Sequence, residues 1–183
     1  NIRLTLAVAE FLGINKNVAL RGMAKTRPDF GSLKVWTVDF GSPPHCWYLI
    51  PCFAANDPES TRKVLSILHE KKLLDGKRIV GILNLRGDRG DRTIQWLKAL
   101  REGVFPEFQK LFLIGDHAYI LKRRLRISNT LLFVLKPQAP REIMEKISAI
   151  EKEDTVLIGL GNIGGVGKEL VNYWEKIGKP YDF

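Results

Sequence analysis

Residues 84–93 read NLRGDRGDRT, which places three arginines and two aspartates within the seven residues from Arg86 to Arg92. Arginine carries a planar, permanently charged fork that meets a phosphate or carboxylate through two parallel hydrogen bonds. A nearby carboxylate can hold such a fork in one orientation. Asp88 and Asp91 are therefore candidate orienting groups for Arg86, Arg89 and Arg92. A plainer reading makes Asp91 the cap of the next helix and leaves the arginines to water. Five charges exceed what a cap requires, so the stretch is a candidate anion site. The embedded RGD tripeptide is too short a match to carry an adhesion function.

Three other stretches offer polar or glycine-rich groups in similar settings. In FAANDPES, residues 53–60, Asp57 has the place of a helix N-cap with Pro58 at the first helical position. Asn56 and the two alanines before it need another reason, and small residues there let a flat ligand approach the backbone. In GDHA, residues 115–118, Asp116 is either a cap or a ligand contact, and His117 is one of three histidines. GLGNIGGVG, residues 159–167, carries G-x-G-x-x-G spacing at Gly159, Gly161 and Gly164. A dinucleotide fingerprint needs a further strand and an acidic residue ~20 positions on, and none follows. A tight strand-to-helix turn is the better account than NAD binding. The basic run at Lys122, Arg123, Arg124 and Arg126 reads as a solvated face or a polyanion contact. Without interleaved aromatics it gives no reason to expect nucleic acid. There is no G-x-x-x-x-G-K-[ST] loop, no zinc-ligand spacing and no readable Ser-His-Asp arrangement.

A repeated unit positions these groups. CWYLIPCF, RIVGILNL, KLFLIG, TLLFVL and TVLIGL are short, continuous runs rich in Ile, Leu and Val, and each leads through a polar turn into a helical pattern. Unbroken apolar strands are those covered by helices on both faces, so the pattern predicts an open, mostly parallel Rossmann-like α/β sheet. A strand LKVWTVDF pairs with the first of these runs across GSPPH. In such sheets ligands sit beyond the carboxyl ends of the strands, so the turns should converge on one edge. Ahead of the sheet, residues 1–28 read as a short helical segment, with Asn15 capping its second helix, and residues 29–33 as a hinge. Residues 34–183 form the main domain.

With 183 residues, 45% of them apolar, the chain can bury a full core. A net charge of +9 favours acidic partners. No apolar run reaches the ~18 residues of a membrane span, so the chain itself is expected to be soluble. Cys46 and Cys52 would lie about 20 Å apart along one strand, too far to pair, and read as two buried thiols in a reducing cytosol. The start at Asn1 inside an apparent helix, without an initiator Met, suggests a fragment of a longer protein.

FAANDPEST, NLRGDRGDRT and GLGNIGG, in this order and at these strand ends, resemble the C-terminal part of the ATP-dependent ligase subunit of poly-γ-glutamate (capsule) synthases. That family belongs to the Mur ligase and folylpolyglutamate synthase superfamily. LTLAVAEFLGI, ALRGM and PDFGSLK are similar to the end of a Mur-type central domain and its hinge. The resemblance implies that ATP phosphorylates a carboxylate and an amine then attacks the acyl phosphate, releasing ADP and phosphate. It implies an upstream central domain that holds the phosphate loop and magnesium, so the fragment alone should be inactive. Arg86, Asp88, Arg89, Asp91 and Arg92 match the motif of the poly-γ-glutamate branch and resemble the Asp-Arg cluster that in Mur enzymes approaches nucleotide phosphates on domain closure. Asn56, beside Asp57, stands where relatives place a His near the nucleotide; Phe53 stands where many have Asp, and Lys34 where many have Arg. The resemblance places Asp116 and His117 at the turn that in some Mur ligases meets the amino-acid substrate. Glutamate and poly-γ-glutamate are the implied substrates, with cytoplasmic location and membrane synthase subunits as partners. A non-catalytic module binding nucleotide or polyanion is the alternative.

Overall fold

The computed structural model describes residues 2–25, 33–41, 43–125, 130–136 and 139–182. They fall into two compact units, Asn1–Ser32 and Leu33–Phe183. The first holds α1 (Ile2–Phe11) and α2 (Lys16–Ala24). Asn15 caps α2 by accepting from the Asn17 N–H at 2.8 Å. Residues 26–32, and with them most of the hinge read at 29–33, lie outside the described residues, as does Arg126 of the basic run.

The second unit is a seven-stranded sheet: β1 (Trp36–Phe40), β2 (His45–Pro51), β3 (Arg78–Asn84), β4 (Lys110–Ile114), β5 (Leu131–Val134), β6 (Thr155–Gly161) and β7 (Lys179–Pro180). The strand order is β5-β4-β3-β6-β2-β1-β7. All neighbours from β5 to β2 are parallel, while β1 runs antiparallel to both β2 and β7. The helices are α3 (Pro58–Glu70), α4 (Gly90–Arg101), α5 (Ala118–Arg124), α6 (Pro140–Ile150) and α7 (Val166–Ile177). This is the Rossmann-like, mostly parallel sheet that the apolar runs predict. β7 carries no such signal, being two exposed residues, one of them proline, at an edge.

The central strands feed two cores because successive side chains point to opposite faces. Ile79 and Leu83 of β3 join Leu65 and Leu68 of α3, Trp96 and Leu100 of α4 and Leu121 of α5. Val80 and Ile82 join Ile143, Met144 and Ile147 of α6 and Leu170, Val171 and Trp174 of α7. Fully burying each such side chain contributes about 1.5–3 kcal/mol, so both faces must stay covered. Cys46 is half-buried rather than buried, and Cys52 is buried; both thiols are free. Burial pushes the Cys52 thiol up to about 12, which keeps it protonated and inert.

The chain order creates a crevice. From β2 the chain passes over α3 to β3, skipping one strand position, then moves outward through β4 to β5 on the same face. It returns over α6 on the other face, and β6 fills the gap between β3 and β2. The turns after β3 and β6, neighbouring strands, therefore leave toward opposite faces. That is the switch point at which open α/β sheets bind ligands.

Candidate functional site

The turn after β3 is tied down by backbone hydrogen bonds. The Leu85 N–H donates to the Ile114 carbonyl at 2.9 Å, and the Arg89 N–H closes onto the Arg86 carbonyl at 3.2 Å. Within it, Arg86 donates from Nε to Asp88 Oδ1 at 2.9 Å and from Nη2 to Asp88 Oδ2 at 2.7 Å. This is the two-pronged geometry of an arginine–carboxylate pair. The Arg86 hydrogen bonds hold the Asp88 carboxyl below the usual carboxylate range, so the pair stays charged. Both side chains are well exposed, which makes the pair a device of orientation more than of stability. Arg89 and Arg92 share Asp91 in longer ion pairs, both at 3.7 Å.

The other turns are tied to this one. Asp116 Oδ2 accepts from the Gly87 N–H at 2.8 Å, and His117 Nδ1 lies 2.9 Å from Thr93 Oγ1. Gly115 has φ +91°, and a Cβ there would overlap the Leu85 carbonyl, so the β4 turn approaches as closely as glycine permits. On the β2 side, Trp96 of α4 donates its indole N–H to the Asn56 carbonyl at 3.3 Å, and Thr61 Oγ1 donates to the Ala55 carbonyl at 2.9 Å. On the β6 side, buried Asn84 donates from Nδ2 to the Asn162 carbonyl at 2.7 Å and the Gly164 carbonyl at 3.0 Å. Asp57 caps α3, accepting from Ser60 N and Ser60 Oγ, both at 2.9 Å. Burial alone would raise its carboxyl, but those hydrogen bonds and the Arg92 charge outweigh it and hold the group below its ordinary value.

The structure thus brings Arg86, Asp88, Arg89, Asp91, Arg92, Asn56, Asp57, Asp116 and His117 to one edge of the sheet, on turns linked by hydrogen bonds. Lys34 stands apart from them: it precedes β1, with β2 and β6 between that strand and β3, and its ammonium binds Glu175 of α7 at 3.1 Å. Two capping assignments need correction. Arg89, not Asp91, occupies the N-cap of α4, and Asp91 lies inside the first turn. His117, not Asp116, occupies the N-cap of α5, because Asp116 has turned back to the Gly87 N–H. Phe53 is a core residue, its ring lying over Gly159 and 5.9 Å from that of Trp174. Lys122, Arg123 and Arg124 fill the last turn of α5, where cations favour the helix end. Among the described residues no group of three or more His, Cys, Asp or Glu could hold a metal ion.

Sequence reading missed Asn84, Thr93 and Asn162. One signal pointed to the first of them: a lone Asn at the end of the apolar run RIVGILN has to find partners once buried.

Residues 39–177 match the model of a family described as the poly-gamma-glutamate synthase CapB C-terminal domain. The chain is 31% identical over 184 residues to the capsule biosynthesis protein CapB of Bacillus anthracis, covering 98% of this chain and 38% of that protein. It is also 31% identical over 180 residues to the PGA synthase CapB of Bacillus subtilis (strain 168), covering 97% of this chain and 44% of that protein. The chain therefore spans about two fifths of the length of the curated relatives it matches. Among solved structures, the UDP-N-acetylmuramate-alanine ligase MurC of Thermotoga maritima superposes with TM-score 0.53 at 19% identity, over 93% of this chain and 36% of that one. MurF of Acinetobacter baumannii gives 0.52 at 16% identity, over 91% and 35%. These two likenesses speak for the fold.

Proposed function

The chain belongs to the poly-gamma-glutamate synthase CapB C-terminal domain family, and from that premise we propose that it is the closing domain of an ATP-dependent, ADP-forming amide ligase that extends poly-γ-glutamate. The reaction has two steps. A carboxylate oxygen attacks the γ-phosphorus of ATP and ADP leaves. An amine then attacks the acyl carbon, loses a proton, and phosphate leaves. ATP with its magnesium supplies the phosphoryl group. The donor set here suits phosphate charge rather than the metal, whose ligands we assign to a preceding central domain that also carries the phosphate loop.

One observation carries the reading: three guanidiniums and their orienting carboxylates stand on the hydrogen-bonded turn after β3 and the first turn of α4, at the switch point of the sheet. Arg86, Arg89 and Arg92 would face the charge that develops on the transferred phosphoryl group, with Asp88 and Asp91 fixing their forks in advance of closure. Asn56 and Asp57 flank the nucleotide side, and Asp116 and His117 the amino-acid side. Helices α1 and α2 are read as the end of the preceding domain. The complete ligase would work in the cytoplasm, held at the membrane by synthase partners; no helix among the described residues is long and apolar enough to cross one.

The test is glutamate-stimulated ADP release by the complete protein and by its Arg86→Ala and Arg89→Ala variants, with folding checked by circular dichroism. Removing a charge-stabilising donor typically costs on the order of 100-fold in rate, and a loss of that size is expected here. Unchanged rates in both folded variants would leave a module that binds nucleotide or polyanion without taking part in the chemistry.

A further inference from the structure

The glycine turn after β6 and the arginine turn after β3 fit each other atom by atom. Asn84, the last residue of β3, is 3% exposed, and its side-chain nitrogen has two hydrogens to place. Both go to the β6 turn, to the carbonyls of Asn162 and Gly164, while the Asn84 carbonyl accepts the Asn162 N–H at 3.1 Å. The turn is thereby fastened to β3 at three points. Gly161 and Gly167 leave room for this clasp: a Cβ on the first would overlap the Asn84 carbonyl, and one on the second would lie 3.1 Å from Asn84 Nδ2. Two residues beyond Asn84, the Arg86 guanidinium folds over Gly164. A Cβ at Gly164 would overlap Arg86 Nη1 and come within 3.1 Å of Cζ. Arg86 gives Nε and Nη2 to Asp88, so the edge resting on Gly164 is the one that pair leaves over.

We propose that Asn84 and Gly164 are positioning residues for Arg86: Asn84 fixes the Gly164 backbone against β3, and bare Gly164 is the seat on which the Arg86–Asp88 pair is held in the crevice. The glycine spacing that mimics a dinucleotide fingerprint is then a seat for an arginine. The proposal rests on reading Arg86 as a group of the ligase reaction, and it deepens that reading by naming what aims the guanidinium.

The obstruction at Gly164 makes a clean test possible. An added methyl meets the far end of a flexible side chain rather than backbone, so the fold can accommodate Gly164→Ala by swinging Arg86 away. Thermal unfolding should stay close to that of the parent, since the added methyl of this half-buried residue meets only the end of the Arg86 side chain. Two readouts separate the layers of the argument. In 15N spectra, the Arg86 Nε–H signal of the parent, assigned by its loss in Arg86→Ala, should shift toward that of a solvated arginine in Gly164→Ala. In the complete ligase, Gly164→Ala should lower kcat by roughly 10- to 100-fold, the cost of a misplacement of about 1 Å. In an Arg86→Ala background it should lower kcat no further, because the two changes remove one interaction. Asn84→Ala, which frees the turn without adding bulk, should follow the same non-additive pattern.

An unshifted Nε–H signal in Gly164→Ala, or an equal loss of kcat in both backgrounds, overturns the seat. A shifted signal together with full activity of Arg86→Ala keeps the seat and removes the ligase role of the arginine.

Discussion

Asp57 accepts from Ser60 through both carboxylate oxygens at the N-terminus of α3, and it also feels the Arg92 charge from the neighbouring turn. Its carboxyl is held below the ordinary carboxylate value in the folded chain, those hydrogen bonds outweighing the effect of burial. A group whose folded value is depressed stabilises the fold fully above its unfolded value and ceases to do so as pH falls through the folded one. Asp57→Ala should therefore cost about 1 kcal/mol at neutral pH, the usual worth of a cap. The difference from the parent should begin to narrow as the pH drops below about 4, where the unfolded chain's carboxylate takes up its proton, and should vanish once the folded carboxylate is protonated too. Urea unfolding of both proteins at pH 7 and pH 3 checks this; a gap that widens on acidification would contradict the assignment. Residue types were readable here because capping is local: Asp57, Pro58 and Ser60 are neighbours in sequence. The alternative reading of Asp91 and Asp116 as caps fails for the complementary reason. Each lies beside a helix start in the sequence, but the Gly87 N–H holds Asp116, one residue ahead of the N-cap, and α4 begins one residue before Asp91.

Among the elements, the central strands were legible because burial on both faces leaves no alternation to misread, and α2 and α3 because Asn15 and Asp57 cap them from within the local sequence. The pairing order was not legible. Nothing in TVLIGL announces that β6 inserts between β3 and β2, since the partners of Leu157 and Ile158, Leu49 and Ile50 on one side and Val80 and Gly81 on the other, lie far away in sequence. The opposite edge of the sheet shows a second long-range dependence. Glu151, at the end of α6, is 2% exposed and binds Lys110 of β4 at 2.9 Å, with Arg78 of β3 at 4.0 Å. Lys110 is itself only 13% exposed. Breaking a buried pair by removing one partner strands a charge and costs about 3–5 kcal/mol, whereas an exposed i,i+4 pair such as Glu59–Lys63 is worth under about 0.5 kcal/mol. Glu151→Ala should thus lower the urea midpoint substantially and Glu59→Ala hardly at all, with m unchanged in both. Equal midpoints for the two variants would show that the Glu151 cluster is wet and loosely held.

At the scale of the whole molecule, position and environment separate what this chain contributes from what it needs. Its sequence contains no G-x-x-x-x-G-K-[ST] loop to cradle phosphates. Its candidate cations are half in water: Arg86 is 43% exposed and Arg89 38%. At 4 Å a pair of unit charges attracts by only about 1 kcal/mol in water but by about 4 kcal/mol near an effective dielectric constant of 20. The same arginines therefore gain most of their effect only when a second surface excludes solvent from the crevice, which is what closure onto a phosphate-binding domain would do. Residues 1–183 by themselves should accordingly bind ATP weakly, with an affinity that falls steeply between low and physiological salt. They should release no ADP above the buffer rate, with or without glutamate. Adding a separately made preceding domain that carries a phosphate loop should restore glutamate-dependent ADP release, and Arg89→Ala on this chain should abolish the restored rate. ADP release by residues 1–183 alone would mean that the arginine turn assembles a competent phosphate site without closure, and the division of labour proposed between the two domains would have to be abandoned.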